Sequence, residues 1–207
     1  GMDSEKGTSL PKPELDGSVS LESAIQKRRS VRHFSKRSLS LADVAQLLWA
    51  AQGITEKGGG RAAPSAGALY PLELYLVAGE VDSLPAGVYQ YRSKGHSLVH
   101  IADGDRRKIL AAAALDQAWV RRAPAVLVIA GVYDRSAKKY GHRANRYTHI
   151  EVGHAAQNVY LQAVARGLGT VNVGAFDDEK VRQAVGLPPD QAPLALMPVG
   201  HPRRLRN

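Results

Sequence analysis

The stretch Ala62–Val77, AAPSAGALYPLELYLV, most constrains what this chain can fold into. Its opening of small residues around Pro64 cannot continue a helix and lets backbone come close to a neighbour. After Tyr70-Pro71 the pattern changes. Leu72, Leu74 and Leu76 alternate with Glu73, Tyr75 and Val77, the period of a half-buried strand. A loop of small residues that feeds a core strand can hold a flat ligand by main-chain groups. The rest of the chain therefore has to supply ligand chemistry that matches.

Residues 1–19 are rich in Pro, Gly, Ser and charge and read as a flexible N-terminal arm, with Gly1 ahead of Met2 taken as an expression remnant. Residues 20–207 read as one domain, long enough to bury a real core. Ser20 suits an N-cap for the helix LESAIQKRR, and Ser40 suits one for a second helix that stops at Gly53. Glu56–Arg61, EKGGGR, reads as a flexible link; it lacks the Lys-Ser/Thr of a phosphate loop. GVYQYR and SLVHIA form a hairpin around Gly95, and an alanine-rich helix covers Asp105–Leu115. AVLVIAGVY after Pro124 is apolar enough for a central strand. The longest helix is expected over Thr148–Arg166, with Val152, Ala156, Val159 and Ala163 on one face and Glu151, His154, Asn158 and Gln162 on another. TVNVG, DEKVRQAVG and PLALMPVGHP complete a strand, a helix and a strand. The intermixing without strict alternation indicates an α+β fold with a mixed central sheet flanked by helices.

Composition closes off several classes. There are no cysteines, so disulfides, thiolate nucleophiles and cysteine metal sites are excluded. His142, His149 and His154 never stand four apart and no HExxH occurs, so no metal is expected. No apolar run reaches a membrane span of ~20 residues and no signal peptide is visible, which points to the cytoplasm. The net charge of +9 comes from short scattered groups without interleaved aromatics, and this does not favour nucleic acid as a partner. A local anionic ligand uses such charges better.

Four segments carry ligand chemistry. Arg28, Arg29, Ser30 and Arg32 offer guanidinium forks and a hydroxyl for phosphate, although the same run also suits a solvated helix end. The small-residue loop Pro64–Ala68 is the second. Asn172–Asp177 at a strand end is the third, and the turn Gly200–Arg204 with its two cations is the fourth.

Together these segments resemble the nitroreductase family of flavoproteins. The matching pieces are RRSVRHF at 28–34, PSAGALYP at 64–71, GHAAQNVYLQAVARGLG at 153–169, VGAFDDE at 173–179 and PVGHPR at 198–203, in the family's order. The resemblance implies the family's α+β fold, an intertwined homodimer, and one FMN in each of two interface clefts. It assigns Arg28, Arg29, Ser30 and Arg32 to the FMN phosphate, ribityl chain and pyrimidine edge, with Arg203 or Arg204 completing the phosphate site. Pro64, Ser65, Gly67 and Leu69 approach the flavin from the partner, and Gly174 and Ala175 lie near its N5. Ala68, Tyr70, Pro71 and Leu72 stand where classical members carry Asn and Gln-Pro-Trp. That wording, with Lys139-Tyr140-Gly141 and Arg146-Tyr147, is more similar to the SagB-type branch, which includes azoline dehydrogenases acting on modified peptides. There a Lys-Tyr pair is implicated in catalysis, and Lys139-Tyr140 matches it; an exposed basic loop is the other expectation for these two residues. The implied activity is FMN-dependent oxidoreduction of a small molecule or modified peptide, with NAD(P)H as a candidate donor. The alternative is a basic small-ligand or nucleic-acid binding protein without catalysis.

Overall fold

The computed structural model describes residues 7–204. Its strands are β1 (Thr8–Ser9), β2 (Leu72–Ala78), β3 (Gly87–Arg92), β4 (Ser97–Asp103), β5 (Ala125–Gly131), β6 (Gly169–Thr170) and β7 (Ala192–Gly200). They form one sheet in the order β1-β4-β3-β2-β5-β7-β6, and every ladder is antiparallel. Parallel pairing, which a mixed sheet requires, is limited to single bridges such as Ser30 with Thr170 and Leu39 with Val81.

Among the described residues seven α-helices accompany the sheet: α1 (Leu21–Lys27), α2 (Leu41–Gln52), α3 (Arg107–Ala113), α4 (Ala118–Arg122), α5 (Tyr133–Tyr140), α6 (Ala144–Ala165) and α7 (Asp178–Val185). Leu72, Leu74 and Leu76 join Leu127, Ile129 and Met197 in a core with residues of α2 and α6. Tyr75 and Val77 join Val126, Val128 and Leu196 in a second core with residues of α3, α4 and α7. β2 is thus covered on both faces, whereas its sequence period suggested one. Helices on each side of β2 and β5 make the architecture three-layered.

Caps behave as their residues dictate. Ser20 and Ser40 accept the N–H of Ser23 and Asp43, and Gly53 ends α2. α1 stops at Lys27, two residues short of the expected helix, because Arg28 turns extended (φ −53°, ψ 127°) and the chain joins β6 through Ser30. β6 keeps only Thr170 of TVNVG, together with Gly169 before it; Val173 makes a separate bridge to Leu196. The EKGGGR link is closed by an Ile54–Arg61 bridge and by Thr55 N–H donating to the Gly60 carbonyl.

Described residues of the expected arm lie against the body rather than apart from it. β1 pairs with β4, Leu10 is buried, and the Glu14 amide donates to Gln46 on α2. No helix among the described residues is long and apolar enough to cross a membrane.

Candidate functional site

Residues 28–35 are held as a border strand beside the end of the sheet. Val31 N–H donates to the Thr170 carbonyl, Ser35 N–H to His201, and Arg203 N–H to the His33 carbonyl. Gly169 and Gly200, paired across β6 and β7, make the room for this. A Cβ at Gly169 would sit 2.6 Å from Val31, and one at Gly200 would sit 2.9 Å from Phe34. Tyr160 on α6 then ties two candidate segments together. Its hydroxyl accepts the Asn172 N–H at 2.8 Å and lies 3.2 Å from Ser30 Oγ, and its ring carries the Arg28 guanidinium at 5.1 Å. Arg29 is not gathered in. It bends back onto the carbonyls of Gln26 and Arg28 at the end of α1.

Beyond this segment lies a cavity of about 940 Å³ whose wall includes Arg32, Lys36, Trp119, Arg122 and Arg203. Arg107 and Arg121, also in the wall, are already paired with Asp105 and Asp116. The other four cations have no carboxylate partner among the described residues. Arg32 stacks over Trp119 at 5.9 Å, and the buried Trp119 Nε1 has no hydrogen-bond partner. An orphan donor among unpaired cations suits an anionic, acceptor-rich ligand. Arg203 reaches this wall, whereas Arg204 is exposed outside it. Gly174 and Ala175 are exposed beside α4, where Gln117 holds the Ala175 carbonyl at 3.1 Å. Among the described backbone bonds, neither residue's N–H donates to the protein.

The second group gathers around the 62–70 loop. Gly67, Ala68 and Tyr70 all have positive φ (64°, 53° and 47°), a strained run for the two non-glycine residues. Side chains hold it in place. Ser65 Oγ accepts the Tyr70 N–H at 2.9 Å, Arg135 donates to the Tyr70 carbonyl, and the Arg61 guanidinium stacks on the Tyr70 ring at 4.5 Å. Pro64 is exposed, and Leu69, which closes the short 3-10 turn over residues 66–68, is half-buried. Lys139 and Tyr140 lie on the last turn of α5, a helix, whereas one of the two expectations for them was an exposed basic loop. They meet the loop tip: a Cβ on Gly67 would fall 2.6 Å from Tyr140 Oη and 3.2 Å from Lys139 Nζ. Behind the loop, Glu151 on α6 is only 3% exposed, and burial pushes its carboxyl up to about 6. Hydrogen bonding from Ser65 and the charge of Arg61 oppose that shift. Burial also lowers the Arg61 guanidinium from its ordinary value.

α6 separates the two groups. Glu151 and Tyr160 are nine positions apart, which is roughly 13 Å along the axis and half a turn around it. Tyr160, with Arg28, Ser30 and Asn172 against it, and Glu151, behind the 62–70 loop, therefore point to opposite sides of one helix. Asn158 and Gln162 tie α6 to α2: Asn158 donates to the Ala50 carbonyl and Gln162 accepts from Gln46. Sequence reasoning did not single out Trp119, Tyr160 or Arg61 as site residues. Only their neighbours in space give them a role, and single-chain spacing carries no signal for that.

The chain matches the Nitroreductase family over residues 25–201. It is 46% identical over 188 residues to a nitroreductase-named protein of Methanocaldococcus jannaschii, covering 91% of this chain and 93% of that one. It is 33% identical over 114 residues to the NADPH-flavin oxidoreductase of Vibrio harveyi, covering 51% and 48%. Among solved structures, a chain of the E. coli microcin synthetase McbBCD complex with truncated pro-MccB17 bound superposes with a TM-score of 0.72 at 24% identity, covering 97% of this chain and 80% of that one. This chain belongs to the nitroreductase family and is an oxidoreductase.

Proposed function

We propose that the chain is an FMN-dependent oxidoreductase acting as a homodimer, with each flavin held between the cationic wall of one protomer and the 64–69 loop of its partner. The observation that carries this reading is the convergence of Arg32 and Arg203, from opposite ends of the chain, on one cavity beside an unpartnered indole N–H. Arg28, Ser30, Arg32 and Arg203 suit the dianionic phosphate and the ribityl hydroxyls. The free N–H groups of Gly174 and Ala175 suit an acceptor on the ring edge. FMN, when bound, supplies two-electron hydride chemistry through its N5. The chain's residues neutralise, orient and exclude water; the hydride donor is reduced nicotinamide or an organic substrate. The placement of Arg28 and Ser30 at Tyr160 and of the loop at Glu151, on opposite sides of α6, suits a second protomer. Exposed apolar side chains at Leu21 and Ile25, one turn apart on α1, and at Ile150 on α6 are suited to a copy of the same chain. A cytoplasmic setting fits such a nicotinamide-linked reaction.

Lys139 and Tyr140 at the tip of the loop favour a substrate that exchanges a proton as well as a hydride, as an azoline ring in a modified peptide does on oxidation. This is the SagB-type reading. The test of the cofactor is direct. Removing one charge-assisted contact typically costs ~1.5–3 kcal/mol, so Arg28→Ala should weaken FMN binding at least about tenfold in a flavin-fluorescence titration. An affinity equal to the parent's would take Arg28 out of the site, and a parent that binds no flavin would overturn the reading itself.

A further inference from the structure

A cavity of about 430 Å³ beside β2, β3 and β4 shares no residue with the cationic wall, and no step above uses it. Leu72 and Leu74 of β2 give it apolar lining, and Arg61, Arg92 and Lys94 give it charge. Its one acidic residue, Glu73, is already engaged: Oε1 accepts from Arg135 at 3.0 Å and Oε2 from Gln90 at 3.1 Å. None of the three cations forms an ion pair among the described residues. Arg61 is the informative one. It is half-buried, and burial lowers its guanidinium from the ordinary value, so a charge has left water with no carboxylate bonded to it. Glu73 acts on it only through space. Its side-chain donors are spent on a single partner: Nη1 donates to Oε1 of the buried Gln52 at 2.9 Å. Its plane is fixed by stacking on the Tyr70 ring at 4.5 Å, and its own main-chain N–H donates to the Tyr70 hydroxyl at 3.2 Å. A flat, anchored fork with unused donors is what a carboxylate meets with two parallel hydrogen bonds.

We infer that this cavity binds the carboxylate of a small organic acid. Arg61 grips the carboxylate, Gln52 keeps the guanidinium turned in its plane, and the leucines of β2 give the rest of the acid an apolar surface. Arg92 and Lys94 are exposed, so their charge draws the anion in without holding it in one geometry. One half-buried fork beside a neutral amide matches a planar monoanion, whereas a phosphate dianion calls for a second fixed cation. Occupancy is felt next door. Arg61 leads into the 62–70 loop and covers the ring of Tyr70 at its end, so a ligand on Arg61 acts on the seat of that loop. A role for this acid as substrate rests on the flavin reading of the loop; the binding site does not.

The test is a titration of the full-length chain with sodium succinate, read by NMR at the Arg61 Nε–H and the Gln52 side-chain amide, against sodium chloride at matched ionic strength. Both signals should shift together and saturate with a Kd on the order of 1 mM, and chloride should not reproduce the shift. Arg61→Lys keeps the charge but loses the fork, so succinate affinity read at Gln52 should fall at least about tenfold. Because Arg61 also holds Tyr70, a second variant spares the loop. Arg92→Ser combined with Lys94→Ser, both at exposed positions, should weaken binding about threefold at low ionic strength and match the parent in high salt. No saturation in the parent, or an Arg61→Lys variant that binds as tightly as the parent, overturns the inference. Inorganic phosphate that saturates the same signals as tightly as succinate overturns the carboxylate assignment. Saturation in a chain that binds no FMN sinks the proposed function and leaves the acid site standing; an FMN-loaded parent whose Arg61 signal never saturates does the reverse.

Discussion

Lys139 and Tyr140 are placed by their contact with Gly67, and that contact decides what their removal should do. The Lys139 ammonium lies 5.4 Å from the centre of the Tyr140 ring, so the two side chains form one cation–π unit over the loop tip. Neither contributes to the core; Lys139 is exposed and Tyr140 half-buried. Loss of either should therefore leave the fold and the flavin in place. A general acid–base group is typically worth ~100–10,000-fold in rate. Lys139→Ala should accordingly retain bound flavin, and its reduction by dithionite, while losing most turnover of the natural substrate. Tyr140→Phe, which keeps the ring stack on Tyr147 but removes the hydroxyl, should slow the substrate-driven reduction of the flavin. If both variants turn over like the parent, the pair is only a surface contact of the loop. Gly67 itself has no side-chain freedom to offer here. Its φ of +64° and the closeness of Tyr140 together reserve the position for glycine.

At the scale of elements, the border strand 28–35 owes its position to glycines that never touch a ligand. Gly169→Ala would drive a methyl to within 2.6 Å of the Val31 Cβ, too near the main chain for a rotamer change to relieve. Overpacking of this kind typically costs ~1–3 kcal/mol. The strand should shift, the Ser30–Thr170 bridge should loosen, and FMN affinity should fall although no cofactor contact has been mutated. A melting temperature lowered with FMN affinity unchanged would show that the strand's seat does not set the site. The elements that sequence reasoning found and missed differ in a physical way. α2, β2, β5 and α7 carry their own signals, a serine or aspartate cap, an alternating apolar pattern or an unbroken apolar run, and these survive without tertiary context. α5 carries none. It has no side-chain cap, and Ser136 is its one buried residue. Its YDRSAKKY sequence is helical because it packs on α6, so a local reading left Lys139-Tyr140 in a loop. The same limit applies to the site. Arginines, serines and glycines in short motifs were legible because the chemistry of phosphate and tight backbone dictates them. Trp119, Tyr160 and Glu151 were not, because what they do depends on which segment lies opposite.

For the whole molecule, the proposed function makes a claim about pairing. The cationic wall of one protomer and the 64–69 loop of its partner are to hold one flavin, as a two-fold dimer arranges twice over. Mass alone would not test this, since a dimer could form elsewhere. Complementation does. Arg32→Ala damages the wall and Gly67→Val damages the loop, so each homodimer should carry two defective sites. In a heterodimer of the two variants, one site collects both defects and the other receives an intact wall and an intact loop. Random pairing makes half of the dimers mixed, so co-expression should restore about a quarter of the parent's high-affinity flavin sites from two inactive parents. Light scattering should report twice the chain mass throughout. Recovery of no sites from a well-mixed population would mean that wall and loop belong to one protomer's site, and that the flavin is not shared.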